Sequence, residues 1–218
     1  MILKKLNLSN QIYEEIKNDI FKGKLNLGEK ISINEVAEKY NVSHTPAREA
    51  IKSLIKDGLI IGSINKAHRI VNLTKKELSE VMEIRKMCEC YSIDYIIRNF
   101  GEKERKNINL QISKLQSLEK NSEKTVKDFF YSTDIDFHLN LIKGTDNLKL
   151  LNIYQQISYI VNIIIYKIDN REEIIKDFFK EHIGILNVVL EKDNKKAKKL
   201  IEKHIDHSLK YYHNNILD

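Results

Sequence analysis

Four side chains in the C-terminal half of the chain have the chemistry of a metal site. Asp134 and His138 stand four apart in a helical pattern over residues 124–143, so they share a face with Phe130, Phe137 and Leu141. His182 falls among Ile175, Phe178, Ile185 and Val189, and His204 among Ala197, Leu200, Ile201 and Ser208, again at helical spacing. A carboxylate and three imidazoles therefore project where an apolar core is expected. A buried carboxylate without a partner is costly. An Asp/His₃ set meeting inside a bundle suits a divalent metal, with zinc first and nickel or manganese as alternatives. The competing expectation is that each histidine is a separately satisfied core residue. His207 lies at the edge of the last helix's stripe, and His213 is peripheral. A metal that accepts five or six ligands keeps positions open for water or for the carboxylate of a small molecule.

A second constellation, near the N-terminus, suits nucleic acid. The stretch ISINEVAEKYNVSHTPAREAIKSLIKDGLI holds two short helical patterns around the turn Asn41-Val42-Ser43. Ser32 and Glu35 have capping-box spacing. Ser43 or Thr45 caps the following helix, Pro46 suits its first turn, and Gly58 ends it. Ala47, Ala50, Ile51 and Leu54 face inward, which leaves His44, Arg48 and Lys52 four apart on one outer face. A helix entering the major groove needs donors near its N-terminus. Arg48 supplies the strongest donor for a base or phosphate, while Thr45 and Ser43 reach phosphates. Two β-prone pieces, 59–64 and 68–73, flank Asn65-Lys66-Ala67 and predict a wing, from which Lys66, His68 and Arg69 face the DNA backbone or minor groove.

The elements that position these groups predict a mainly α fold. Residues 1–73 read as a winged helix-turn-helix, opened by a helix that Ser9 caps and that carries Ile12, Ile16 and Ile20 before stopping at Gly23. Residues 74–218 read as an all-α bundle, with a capping box at Thr74 and Glu77. Helices are expected near 75–99, 103–120, 124–143, 147–168, 171–191 and 194–214, punctuated by Gly101, Gly144 and Asp193-Asn194. The helix 147–168 carries Tyr159, Ile163 and Ile165 on a second apolar face.

Charge supports this division. Residues 1–74 hold 12 Lys+Arg against 8 Asp+Glu, and residues 75–218 hold 25 against 23. The shorter segment has the larger excess, which favours an anionic partner there. Cys88 and Cys90 are two apart on a helix and point to different faces, so free thiols and a reducing cytoplasm are expected. The N-terminus has no signal-like apolar core, and the apolar run Ile160–Ile168 is too short to span a bilayer, so no membrane partner is expected.

These motifs resemble the GntR family of bacterial transcription regulators, in the branch with a FadR-like C-terminal (FCD) domain. VSHTPAREAI is similar to that family's VSRTPVREAL signature. Farther along, the matching features are the Arg85–Glu89 pair, the DxxFH pattern from Asp134 to His138, Gly144 to Asn147, Glu181-His182 and His204. The resemblance implies a homodimer that binds a two-fold operator and responds to a small carboxylic acid. It implies Asp134, His138, His182 and His204 as metal ligands, the set selected by the helix faces. Six helices after the linker resemble the shorter, VanR-like version. The chain departs from the family in having His44 where Arg is usual, Ala67 near the wing's usual Gly, and no Arg in the helix 147–168. Arg85, Tyr154, Ser158 and Asn162 are the candidates for the effector pocket.

Three functions fit this sequence: a ligand-responsive regulator, a metal sensor, and a metal-dependent enzyme fused to a DNA-binding module. The last finds no HExxH motif and no nucleophile elbow. The expectation is a regulator without enzymatic activity.

Overall fold

The computed structural model describes residues 8–62, 67–119, 123–165 and 172–215. The chain divides into two units, Met1–Leu73 and Thr74–Asp218.

In the first unit, α1 (Leu8–Phe21) buries Ile12, Ile16 and Ile20 against α3 (His44–Lys56), which offers Ala47, Ala50, Ile51 and Leu54. Their fourfold recurrence is what makes each helix one-sided. Ser9 lies inside α1 rather than at its cap, because the helix already runs from Leu8. Tyr13 donates its hydroxyl to Asp57 Oδ2 at 2.5 Å, which ties α1 to the end of α3. The short α2 (Ile33–Lys39) opens on the expected capping box: Glu35 N donates to Ser32 Oγ at 3.2 Å, and Ser32 N donates to Glu35 Oε2 at 2.8 Å. The turn from α2 to α3 is closed by Asn41 at φ +51°, a left-handed conformation that asparagine tolerates better than most residues.

The wing is smaller than its sequence suggests and has a strand that hydropathy did not reveal. β1 (Lys30–Ile31), β2 (Ile60–Ile61) and β3 (His68–Ile70) form an antiparallel sheet in the order β1-β3-β2. Lys30 pairs with Arg69 and Ile60 with Ile70. A two-residue strand is too short to display a period of two, so β1 left no pattern to detect.

The second unit holds α4 (Lys75–Arg98), α5 (Glu102–Glu119), α6 (Glu123–Lys143), α7 (Leu148–Ile165), α8 (Glu172–Leu190) and α9 (Asn194–Asn215). The expected capping box opens α4, with Glu77 N bound to Thr74 Oγ1 and Thr74 N bound to Glu77 Oε2. Asn147 Oδ1 accepts from Lys149 N and Leu150 N at 3.1 Å and caps α7. α4 packs on α9, α6 and α7, while α8 packs on α9, α5 and α6. α6 therefore lies amid the bundle, where its polar residues meet those of its neighbours. Ile163 and Ile165 are buried inside this unit, and its exposed large apolar residues, among those described, are Ile84, Met87 and Tyr91 on α4, Leu110 on α5, and Leu148 and Ile153 on α7. Cys88 and Cys90 are free. Among the described residues, no helix is long and apolar enough to cross a membrane.

Candidate metal centre and DNA-facing surface

Asp134, His138, His182 and His204 converge from α6, α8 and α9, with one ligating atom from each lying within 4.8 Å of all the others. All four are buried. The Nε2 atoms of His182 and His204 are 3.1 Å apart, and those of His204 and His138 are 3.3 Å apart. Asp134 Oδ1 lies 3.5 Å from His182 Nε2 and 3.8 Å from His138 Nε2. Metal–nitrogen bonds of about 2.0–2.1 Å give a tetrahedron with edges of roughly 3.3 Å, so the donor set fits a small divalent ion.

Two carboxylates fix the rings from behind. Glu89 Oε2 accepts from His138 Nδ1 at 2.8 Å, and Glu181 Oε2 accepts from His204 Nδ1 at 2.7 Å. In the neutral rings both protons are thereby committed to Nδ1, and the two bare Nε2 lone pairs face each other. A cation between them relieves that repulsion, and carboxylates behind ligating imidazoles are the usual support of such a centre. Among the described residues Asp134 Oδ2 and His182 Nδ1 have no hydrogen-bond partner, so the cluster is not self-sufficient as a polar core. His182 stacks on Phe137, with ring centroids 3.9 Å apart.

The electrostatics favour neutral imidazoles beside ionised acids. Burial, together with His204, His138 and Arg85, pushes the His182 pKa far down. Burial and Arg85 lower that of His138 despite the pull of Glu89. Burial alone raises the Glu89 pKa, but His138 and Arg85 outweigh it and hold the carboxyl at about 2. Burial also works against the charge of Arg85, yet Tyr154, Glu89 and Asp134 keep the guanidinium protonated.

Arg85, Tyr154, Ser158 and Asn162 line one cavity together with Asp134 and His138. Its volume of about 10 Å³ is room for one water. Glu89 organises this wall as well, accepting from Arg85 Nε at 2.8 Å and from the Tyr154 hydroxyl at 2.5 Å.

On α3, His44, Thr45, Arg48 and Lys52 are exposed. Lys52 pairs with Glu49 at 2.9 Å, while Arg48 makes no ion pair among the described residues. Ser43 stands exposed at the N-cap and makes no side-chain capping bond, so the first-turn N–H groups lack that acceptor. Arg69 is exposed, and one of its terminal nitrogens donates to the Gly28 carbonyl at 2.9 Å.

Comparison with known proteins identifies this pairing of a winged helix with a six-helix bundle. Residues 8–67 match the family model "Bacterial regulatory proteins, gntR family", and residues 80–207 match the FCD domain. The chain belongs to the GntR family, in its FCD-domain branch.

The relatives of this GntR-family chain are regulators. It is 29% identical to the uncharacterized HTH-type transcriptional regulator YdhC of Bacillus subtilis, over 92% of this chain and 89% of the relative. It is 22% identical to the HTH-type transcriptional repressor GlaR of Escherichia coli, over 88% and 90%. The solved structure of E. coli McbR/YncC shares its fold, with a TM-score of 0.73 at 18% identity over 98% of this chain and 99% of the other. The GntR chain is thus a DNA-binding transcriptional regulator with an effector-binding domain, and its relatives indicate regulation rather than enzymatic turnover.

One wing residue of the GntR chain changes standing. His68 is buried at 5% exposure, with Nε2 unpartnered, so it is not part of the outer basic face; inward and outward positions alternate along β3, and Arg69 takes the outward one. Lys66 lies outside the described residues. Lys30, exposed and in register with Arg69, joins the basic edge instead. No sequence signal marked it. The roles of Glu89 and Glu181 behind the imidazoles were not assigned from the sequence, although both residues stand among the motifs that carry the resemblance.

Proposed function

We propose that the protein is a metal-containing, ligand-responsive repressor that acts as a homodimer on a two-fold operator. Ser43, His44, Thr45, Arg48 and Lys52 on α3, with Lys30, Lys66 and Arg69 around the wing, meet the DNA. Repression follows the similarity to GlaR, a transcriptional repressor by name. The exposed stripe Ile84, Met87 and Tyr91 on α4, beside Leu148 and Ile153 on α7, supports self-association through the helical unit.

The observation that carries the reading is the single cavity shared by Asp134 and His138 with Arg85, Tyr154, Ser158 and Asn162. Asp134, His138, His182 and His204 hold the ion, most suitably zinc, with nickel or manganese as alternatives. When bound, it supplies a Lewis-acidic centre with affinity for a carboxylate oxygen. Arg85 offers a buried positive charge to the same anion. Tyr154, Ser158 and Asn162 read the rest of a small carboxylic acid. Effector binding changes the spacing of the two winged helices in the dimer and with it the fit to the operator half-sites.

The test is metal analysis of protein purified without chelator or nickel resin, beside the His138→Ala/His182→Ala double variant. The expected result is about one metal per chain, lost in the variant. No metal in either protein after loading with zinc, nickel and manganese overturns the reading. A second reading, a sensor for which the ion itself is the signal, is favoured by the cavity's size, since one water fits and an organic acid requires rearrangement. Operator affinity that follows zinc concentration without any organic acid selects that second reading.

A further inference from the structure

The helical unit carries another opening that shares no lining residue with the cavity beside the metal-capable cluster. It is a groove of about 310 Å³ between α5, α6, α8 and the end of α4, the size at which small-molecule pockets begin. Its floor is apolar and buried: Ile108, Leu141, Leu186 and Val189. Above that floor stand the side-chain amides of Asn107, Gln111 and Asn140.

Two features separate this groove from an ordinary surface dip. Gln111 Oε1 is shielded from solvent and has no hydrogen-bond partner among the described residues. A small recess that shares Gln111 and Asn140 with the groove is also lined by Thr133, which is 2% exposed and whose Oγ1 likewise has no partner. A buried polar atom without a partner is costly, so the Gln111 oxygen in the groove lining points to a ligand that completes it. The charge at the mouth gives the ligand's sign. Glu104 is anchored by the Gly101 N–H at 2.9 Å and keeps its charge, and it acts on its neighbour Lys103, which is paired with Asp146 at 3.1 Å. Lys143, at the end of α6, lines the groove and has no ion-pair partner among the described residues.

We propose that this groove is a second small-molecule site, which takes a compact amphipathic anion. Its apolar body lies on the Ile108–Val189 floor, polar atoms on that body reach the Gln111 and Asn140 amides, and its anionic group meets Lys143. The ligand is distinct from whatever binds beside Arg85.

The test uses naphthalene-2-sulfonate, a flat apolar anion, titrated calorimetrically into the full-length protein and two exposed-residue variants whose folding is checked by circular dichroism. The expected result is saturable binding of about one probe per chain. Lys143→Gln weakens it about fivefold, the worth of one solvent-exposed ion pair. Asn107→Trp, which fills the groove from its open side, abolishes it. Equal binding by wild type and both folded variants places the probe elsewhere and overturns the proposal, as does the lack of saturable binding by the wild type.

Discussion

Glu89 Oε2 lies 2.8 Å from His138 Nδ1, with both side chains removed from solvent. The other oxygen of that carboxylate takes Arg85 Nε and the Tyr154 hydroxyl. One acidic group on α4 thus sets the orientation of an imidazole on α6 and a phenol on α7, and neutralises a buried guanidinium on its own helix. Glu89→Gln removes the carboxylate that is ion-paired with buried Arg85. Breaking a buried pair from one side costs about 3–5 kcal/mol. Chemical denaturation followed by circular dichroism should show a loss of that size; a loss below about 1 kcal/mol contradicts the central role given to this carboxylate.

Glu181 plays the matching part behind His204, but it is only partly buried and also accepts from His207 Nδ1 at 2.9 Å. Glu181→Gln is therefore expected to spare the fold and weaken zinc binding about 10–100-fold, as loss of a ring-orienting partner does. Competition against a chromogenic chelator measures this directly. Unchanged affinity would mean that His204 needs no support from Glu181.

Arg48, on the outer face of α3, makes no ion pair among the described residues. Arg48→Ala should cost about 1–3 kcal/mol of specific operator binding, while Lys52→Ala, already paired with Glu49, should act mainly through the salt dependence. Fluorescence anisotropy with an operator fragment at two salt concentrations separates the two effects. If specific binding survives Arg48→Ala intact, α3 is not the recognition helix.

Asp19 is buried in the N-terminal unit between Lys24 at 3.0 Å and Lys39 at 2.8 Å. Burial raises its pKa, but the hydrogen bonds from Lys39 and Lys24 outweigh it and hold the carboxyl below the ordinary 3.8. A depressed acid stabilises the fold above its unfolded pKa, and that contribution is lost as pH falls through the folded value. Asp19→Asn should therefore cost about 1 kcal/mol at pH 7, because both lysines are half-exposed, and the difference from wild type should shrink as pH falls through the depressed folded value and vanish in stronger acid. A pH-independent difference would assign the effect to packing.

Gly144 gives way to Ile96. A Cβ placed on it would stand 2.7 Å from Ile96 Cδ1 and 2.9 Å from Cγ1. Gly144→Ala should lose about 1–3 kcal/mol of stability through overpacking. Restoration of stability in the Gly144→Ala/Ile96→Val double variant checks the contact, since the shorter side chain removes the nearest atom.

The six helices of the second unit were legible because their apolar residues recur over four or more turns and because Ser, Thr, Gly and Asn mark their ends. The approach of Asp134, His138, His182 and His204 was legible for the same reason: each interrupts an otherwise apolar stripe. What lay beyond reach was anything decided by a partner from a distant element. Gly144 reads as helix punctuation, and only the fold reveals Ile96 against it. His68 reads as basic wing chemistry, and only the sheet register turns it inward. β1 is two residues long and owes its existence to the edge offered by β3, so no local pattern could announce it. Gln111 and Thr133 look like solvated polar residues until α5 and α6 close over them.

The bare N-cap of α3 has a consequence for motion. Ser43 does not close the first turn, and Pro46 removes one of its N–H groups. The start of the helix is held by fewer bonds than its middle, where Ala50, Ile51 and Leu54 are packed. Fraying is therefore concentrated in the residues that lead the helix toward a partner. An oxygen acceptor docking there finishes a turn that the free chain leaves open, and ordering of His44 and Thr45 becomes part of association itself.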